Sequence, residues 1–530
     1  MASTTLVRQN GHPATGTNGT AHETEGSYHT AVQGSTTKSR GRTLILCFDG
    51  TSNRYNEENT NVVKFMSLIK NDVPDRQLVY YQPGIGTYTN PGIFTPISMK
   101  MANMLDQGVA WYIGAHITGG YKWLMDRYQD GDRICIFGFS RGAYTARALA
   151  GMLNKVGLLP AGNHEQVTVA YDIYRTDSQE GYTMSDGFRD TFSRVVPIEF
   201  VGVWDSVSSV GLIRSHSLPY AASNHIISTF RHAMALDEHR AWFVVDPWHI
   251  PDIDREGRMR SIMVRAFGHW HEPNAQGVFA RFIHWLAFGS QQPVAEIERS
   301  DGQVGVPGDK LFANSKKKTN VKEVWFAGCH SDVGGSSVAD TVSHSLSNIT
   351  LRWMVRECEM ANTQILWNMP RLGQFAIDIS PERLQLARDI TDNAAAIHKA
   401  GQKPLYAEKY GKQLDKYEEG RIQIQDAKSS VYDSLMPHWT WPAFFPLGFN
   451  LLWWILELLP MKLWFQDNRG KWHSTHRVNL GRGRHAVTVT GELPKFHISV
   501  LAKEQNPVEG KDTYEPRAKL DEGVTPLYVD

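Results

Sequence analysis

Three residues of this 530-residue chain have the types and surroundings for nucleophilic acyl chemistry: Ser140, Asp205 and His330. Ser140 lies in Gly138-Phe139-Ser140-Arg141-Gly142, between the apolar run Arg133-Ile134-Cys135-Ile136-Phe137 and Ala143-Tyr144-Thr145-Ala146-Arg147-Ala148-Leu149-Ala150. That order predicts a buried strand, a sharp turn and a helix, the setting in which G-x-S-x-G forms a nucleophile elbow. The flanking glycines, Gly138 and Gly142, fit because side chains there would collide with the strained turn or with a bound acyl group. The backbone N–H of Arg141, at the head of the helix, would face the oxygen that becomes negative during acyl transfer. The alternative for the same residues is an ordinary βα turn with Ser140 as the helix N-cap.

A serine nucleophile needs a base, and the base needs an orienting acid; in α/β-hydrolases they follow in the order Ser, Asp or Glu, His. Val195-Val196-Pro197-Ile198-Glu199-Phe200-Val201-Gly202-Val203-Trp204 predicts a buried strand that ends in Asp205, and Val324-Trp325-Phe326-Ala327-Gly328-Cys329 another that ends in His330. Both residues stand just past the carboxyl end of a strand, where open α/β sheets place their sites. The glycine-rich loop Ser331-Asp332-Val333-Gly334-Gly335 follows the histidine, and Asp332 ranks second for the acid role. The plainer readings are a turn aspartate at 205 and a structural loop histidine at 330. A first strand, Arg42-Thr43-Leu44-Ile45-Leu46-Cys47-Phe48, runs into Asp49-Gly50-Thr51-Ser52-Asn53. The second oxyanion-hole N–H is assigned to Gly50 or Thr51, and Asp49 is expected to fix that loop through hydrogen bonds. Asp-Gly-Thr after a strand also resembles half of the haloacid-dehalogenase phosphatase motif, but Cys47 stands where that chemistry needs its nucleophilic aspartate.

These elements require an α/β sheet to position them, and the composition permits one. The hydrophobic share of 41% supports a large core, while Lys+Arg and Asp+Glu both total 55. The balanced charge argues against global capture by nucleic acid or an anionic membrane, and Lys316-Lys317-Lys318 is read as a solvated loop. The cysteines Cys47, Cys135, Cys329 and Cys358 lack metal-ligand spacing and read as core residues in a reducing compartment. The expected division is a disordered tail at 1–40, a catalytic domain at 41–365, a helical and aromatic-rich region with a short β segment at 366–503, and a polar tail at 504–530. Residues 212–320 are too long for one connection and are expected to form a cap insertion. His225, His232 and His239 recur every seven residues; on a helix successive ones would be about 10 Å apart, so a structural role is expected. Arg484-His485-Ala486-Val487-Thr488-Val489-Thr490 alternates like a strand. The segment 439–465, from Trp439 to Phe465, is broken by Pro446, Asn450, Glu457 and Pro460 and is too short between prolines to span a bilayer. Core packing, interfacial membrane docking and a partner surface are the readings open to it.

Five segments occur together and in order: Phe48-Asp49-Gly50-Thr51, Gly138 to Tyr144, Val203-Trp204-Asp205-Ser206-Val207, Arg231 to Glu238, and Gly328 to Gly335. Across about Arg42 to Cys358 the chain resembles the catalytic domain shared with type VI secretion phospholipase effectors. The resemblance implies an α/β-hydrolase fold, a mostly parallel sheet flanked by helices, and a Ser140, Asp205, His330 triad. In the bacterial effectors it implies phospholipase A activity. The aromatic C-terminal segment and Asn479-Leu480-Gly481-Arg482-Gly483-Arg484 resemble the fungal branch. The expectation is a serine hydrolase acting on a carboxylic ester, with a phospholipid or other lipid acyl ester as the expected substrate, Ser140 as nucleophile, His330 as base and Asp205 as acid. It needs no metal or organic cofactor. Without a signal-peptide core in its first residues, the chain is read as cytoplasmic, with peripheral membrane contact through 439–465 as one option. The alternatives are a hydrolase-like scaffold that binds lipid or a partner without turnover, and a thioesterase or carboxylesterase on soluble substrates.

Overall fold

The computed structural model describes residues 41–50, 53, 55–84, 99–207, 218–248, 318–401, 403–436, 454, 457–458, 461–466, 472–486, 492–507, 510 and 512–530; of 99–112, 179, 407, 461–466 and 472–477 it describes the backbone. Eight strands form one sheet in the order β10-β9-β6-β5-β4-β3-β1-β2. They are β1 (Thr43–Phe48), β2 (Gln77–Gln82), β3 (Arg133–Phe139), β4 (Ile198–Trp204), β5 (Ile227–Ala235), β6 (Asn320–Phe326), β9 (Lys495–His497) and β10 (Leu527–Val529). Every pairing in that sheet is parallel. A second, antiparallel pair joins β7 (Met461–Gln466) to β8 (Trp472–Arg477). Parallel strands buried on both faces read as continuous apolar runs, which is why β1, β3 and β4 are legible as Thr-Leu-Ile-Leu-Cys-Phe and its counterparts.

Successive side chains of β1 leave on opposite faces. Leu44, Leu46 and Phe48 join a cluster with Ile117, Tyr121 and Leu124 of α2 (Met99–Arg127) and Leu149 of α3 (Arg141–Val156). Ile45 and Cys47 join another with Val62 and Phe65 of α1 (Asn61–Leu68) and Trp353 and Met354 of a helix at Leu346–Met360. Strand order reverses at β1, which lies between β2 and β3. The crevice at the carboxyl ends beside such a reversal is the usual ligand site of an open α/β sheet, and both Asp49 and Ser140 open onto it.

Several parts of the chain differ from the sequence reading. Ile227–Ala235, inside the expected 212–320 cap, is instead a central strand, β5, between β4 and β6. Arg231 and His232 hid it by interrupting the apolar pattern. The structure satisfies both: Arg231 pairs with buried Glu357 and donates to the Asn320 carbonyl at 2.9 Å. His232 accepts from the Ser206 N–H at 3.0 Å through Nε2, and its Nδ1 meets Glu323 at 3.0 Å. The three spaced histidines therefore share no helix, although His232 is structural as expected. Of the expected cap, 212–217 and 249–317 lie outside the described residues, as does 1–40. Residues 504–530, read as a polar tail, supply β10, and Asp530 is fully buried against Arg356, Arg383 and His497. Of the expected strand at 484–490, His485 forms an isolated bridge with Lys519, and 487–490 lies outside the described residues. The first half of 439–465 lies outside them too. No helix among the described residues is long and apolar enough to cross a membrane.

Candidate active site

The sheet register sets two of the key residues side by side. Phe139 at the end of β3 pairs with Trp204 at the end of β4, so Ser140 and Asp205 are the next residues on adjacent strands. The ladder continues through them: the Ser140 N–H donates to the Trp204 carbonyl at 3.1 Å and the Asp205 N–H to the Ala233 carbonyl at 2.7 Å. Both then leave the strand at positive φ, 57° for Ser140 and 39° for Asp205. Such conformations cost about 1–3 kcal/mol and persist where the surroundings enforce them. At Ser140 the enforcing contacts are the glycines. A Cβ on Gly142 would lie 2.3 Å from the Phe48 carbonyl oxygen, and one on Gly138 would lie 2.5 Å from that of Gly142. The elbow therefore packs backbone against backbone, with β3, α3 and the end of β1 in direct contact. Ser140 precedes α3, but its side chain makes no capping hydrogen bond. The N-cap alternative thus has no bond to support it.

His330 begins a single-turn helix at His330–Gly334. Its Nδ1 lies 2.5 Å from Asp205 Oδ2. The ring packs against Phe139, the neighbour of Ser140, at 4.6 Å between centroids and against Phe243 in a T-shaped contact at 4.8 Å. Asp332 faces elsewhere: its Oδ2 accepts the N–H groups of Cys329 and Tyr432, each at 2.9 Å. Asp205, not Asp332, is therefore the carboxylate on the imidazole. The two are also shifted in opposite directions. Burial raises the Asp205 carboxyl, but Arg484 and His330 outweigh it and hold it well below the usual carboxylate range. Burial pushes Asp332 up to about 7 against the hydrogen bonds it accepts. Burial also lowers the His330 imidazole despite the opposing pull of Asp205, so the ring is neutral near neutral pH and able to accept a proton.

Around β1 the structure distinguishes the other candidates. The Gly50 N–H donates to Asp49 Oδ1 at 2.7 Å, which engages the donor expected to serve an oxyanion. Thr51 lies outside the described residues. Asp49 also accepts from Thr60 Oγ1 and Tyr81 OH, each at 2.8 Å, so it ties together β1, β2 and the start of α1. Arg141 heads α3, whose first N–H groups lack partners inside the helix. Its side chain is partly buried and has no hydrogen bond or ion pair among the described residues; burial alone lowers its guanidinium to about 10.

Two groups of residues behind the site were not assigned a role from sequence. Asp237 and Glu238 follow β5 and pin the histidine loop: Asp237 accepts the Gly328 N–H at 2.6 Å and Glu238 the His330 N–H at 3.2 Å. Glu238, despite burial, is lowered to about 2 by Arg240 and its neighbours. Their position just past the carboxyl end of a strand was the available signal, masked by reading the segment as a cap. The other is Arg484, which forks onto Asp205 with contacts of 2.6 and 2.9 Å. It closes the Asn479–Arg484 stretch noted above, but nothing local in that stretch points to its partner, 279 residues away in the chain.

A parallel sheet flanked by helices, with a serine at the strand-to-helix turn beside a topological reversal, defines an α/β protein of the hydrolase-like type. Within that class, the chain belongs to the T6SS phospholipase effector Tle1-like catalytic domain family, whose model matches residues 42–357. It is similar to the uncharacterized protein YEL023C of Saccharomyces cerevisiae, 29% identical over 559 residues covering 89% of this chain and 80% of that one. Among solved structures it is similar to an uncharacterized protein from Pseudomonas aeruginosa, with 18% identity, a TM-score of 0.33 and coverage of 79% of this chain and 60% of that one. It is also similar to the Tle1 effector bound to the VgrG spike of the type 6 secretion system, with 16% identity, a TM-score of 0.25 and coverage of 56% and 51%. The chain thus spans less than two thirds of the length of either solved structure.

Proposed function

We propose that the protein is a serine hydrolase that cleaves carboxylic esters of lipids, with phospholipids as the leading substrates. The observation that carries this reading is the 2.5 Å bond between Asp205 and His330 beside a strained serine whose side chain caps nothing. Ser140 attacks the acyl carbon as His330 takes its proton, and Asp205 stabilises the imidazolium that forms. His330 then gives the proton to the leaving alcohol, and a water activated by the same imidazole releases the acid. The Arg141 N–H at the head of α3 serves the oxyanion; with Gly50 engaged by Asp49, the second donor falls to the Thr51 position. The family match supports a lipid substrate. So does the partly buried Arg141 guanidinium next to the nucleophile, which suits a phosphate-bearing ester. Peripheral membrane contact through 439–465 is part of the proposal, supported by the exposure of Trp454 and Leu458.

The test compares wild type with Ser140→Ala on phospholipid vesicles, neutral lipids and short-chain p-nitrophenyl esters. The expected outcome is phospholipid turnover that disappears in the variant, together with fluorophosphonate labelling of Ser140. Turnover of short esters alone would move the assignment to a carboxylesterase or thioesterase. No turnover and no labelling would leave a binding scaffold. Co-sedimentation of the Ser140→Ala protein with the same vesicles reads the membrane contact separately.

A further inference from the structure

The family-matched stretch ends at residue 357, yet one of the groups that fixes Asp205 comes from far beyond it. Arg484 is buried and uses all five of its N–H donors. Nη1 donates to Asp205 Oδ1 at 2.6 Å and to the Ala235 carbonyl at 3.1 Å; Nη2 donates to Asp205 Oδ2 at 2.9 Å and to the Phe243 carbonyl at 2.7 Å; Nε donates to the Phe243 carbonyl at 3.1 Å. Asp205 is equally saturated, since Oδ1 also accepts the Ala235 N–H at 2.9 Å and Oδ2 faces His330. A planar fork on a carboxylate fixes both its position and its plane.

The backbone carrying Arg484 is itself fastened. Gly481 N–H and Asn479 Nδ2 donate to Glu457 at 2.9 and 2.7 Å, and the Gly481 carbonyl meets His239 Nδ1 at 3.0 Å. The Lys519 N–H donates to the Arg484 carbonyl at 2.8 Å. A Cβ on Gly483 would lie 2.1 Å from the Arg517 carbonyl oxygen. The segment 479–486 is thus a strap clamped between the loop after β5 and residues 517–519.

We propose that Arg484 is a positioning residue of the active site, holding Asp205 ionised and aimed at His330, so that the catalytic unit requires the strap 479–486. This rests on the Ser140, His330, Asp205 reading above. The other charged and titratable groups around the pair are Glu238 and Arg240 from the loop after β5, and Cys329 and Asp332 on either side of His330. None of them forks onto Asp205. Without Arg484, an ionised Asp205 would draw a proton onto His330 more strongly, and a protonated Asp205 would orient it less; either way activity is lost first at low pH.

The experiment measures kcat, KM and the rate of fluorophosphonate labelling against pH for the full chain carrying Arg484→Met or Arg484→Lys, with thermal melting as the check on folding. Arg484→Met is expected to lower kcat by on the order of 10- to 100-fold with little change in KM, and to move the acid limb of the profile to higher pH. Arg484→Lys keeps the charge but loses the fork, so it should keep the wild-type limb with a reduced kcat. In an Asp205→Asn background, replacing Arg484 should cost little more, because it acts through Asp205. Folded variants with wild-type kcat and limb, or a loss equal at all pH values and additive with Asp205→Asn, would overturn the proposal. If Arg484→Met does not fold, Arg484→Lys decides: wild-type kcat sinks the idea. An Asp205→Asn enzyme as active as wild type would instead sink the acid assignment on which the proposal stands.

Discussion

Two buried aspartates near one histidine are shifted in opposite directions, and the difference can be measured at the residue scale. Asp205 lies on His330 and is ionised; Asp332 lies on backbone N–H groups and is pushed up to about 7. Asp205→Asn should cut kcat by on the order of 10⁴-fold, since an amide cannot hold the required tautomer. Asp332→Asn should leave kcat nearly unchanged. For a carboxyl raised in the folded state, stability is fullest at low pH. It falls as pH rises from the unfolded value of about 3.9 to the folded value of about 7. Asp332→Asn removes that loss, so its melting temperature should gain on wild type more at pH 8 than at pH 5. His330 supplies a further prediction. Burial lowers its pKa, and the base must be neutral to act. The acid limb of kcat/KM should therefore lie below the ordinary imidazole value of about 6.5. A limb at or above that value, followed with a p-nitrophenyl ester, would mean that Asp205 dominates burial. The corresponding stability is complete above the unfolded value and declines as pH falls below it.

At the scale of elements, the site depends on how closely β3, α3 and β1 approach. Gly142→Ala places a methyl 2.3 Å from the Phe48 carbonyl oxygen. Backbone cannot yield as a side-chain tip can, so the elbow must open. Labelling of Ser140 by fluorophosphonate should fall at least tenfold on the scale of a roughly 1 Å misplacement. Wild-type labelling by Gly142→Ala would show that the contact is soft. The same approach explains why the G-x-S-x-G segment was legible. A strand buried on both faces must be apolar throughout, and the turn after it admits only glycine at two positions. β5 was not legible because Arg231 and His232 are buried by pairing with Glu357 and Glu323 on other elements, and such pairing leaves no periodicity in the strand's own sequence.

At the scale of the whole molecule, the end of the chain is built into the sheet. Asp530 is fully buried between Arg356 at 2.6 Å and Arg383 at 2.7 Å, with His497 at 3.2 Å. Burial raises its carboxyl, but the two arginines and His497 outweigh this and hold it well below the ordinary range. A depressed carboxyl contributes stability that is present above its unfolded value and lost as pH falls through the folded one. Asp530→Asn leaves Arg356 and Arg383 with Glu419 as the one carboxylate they still share, so the loss should approach, without exceeding, the roughly 3–5 kcal/mol of an uncompensated buried charge. Denaturant unfolding read by tryptophan fluorescence should register that loss, and an unchanged midpoint would mean that Glu419 alone suffices for Arg356 and Arg383.

By itself the sequence determined the α/β class, the elbow at Ser140, and the succession of Asp205 and His330 after their strands. Each of these is written locally, in apolar runs closed by glycine turns or by a polar residue at a strand end. Only the tertiary structure decided which aspartate meets His330, that the Gly50 N–H is taken by Asp49, that 227–235 is sheet rather than cap, and that Arg484 forks onto Asp205. Those outcomes depend on contacts between residues up to 279 positions apart. A charged side chain in a sequence carries no mark of the partner that will make its burial tolerable.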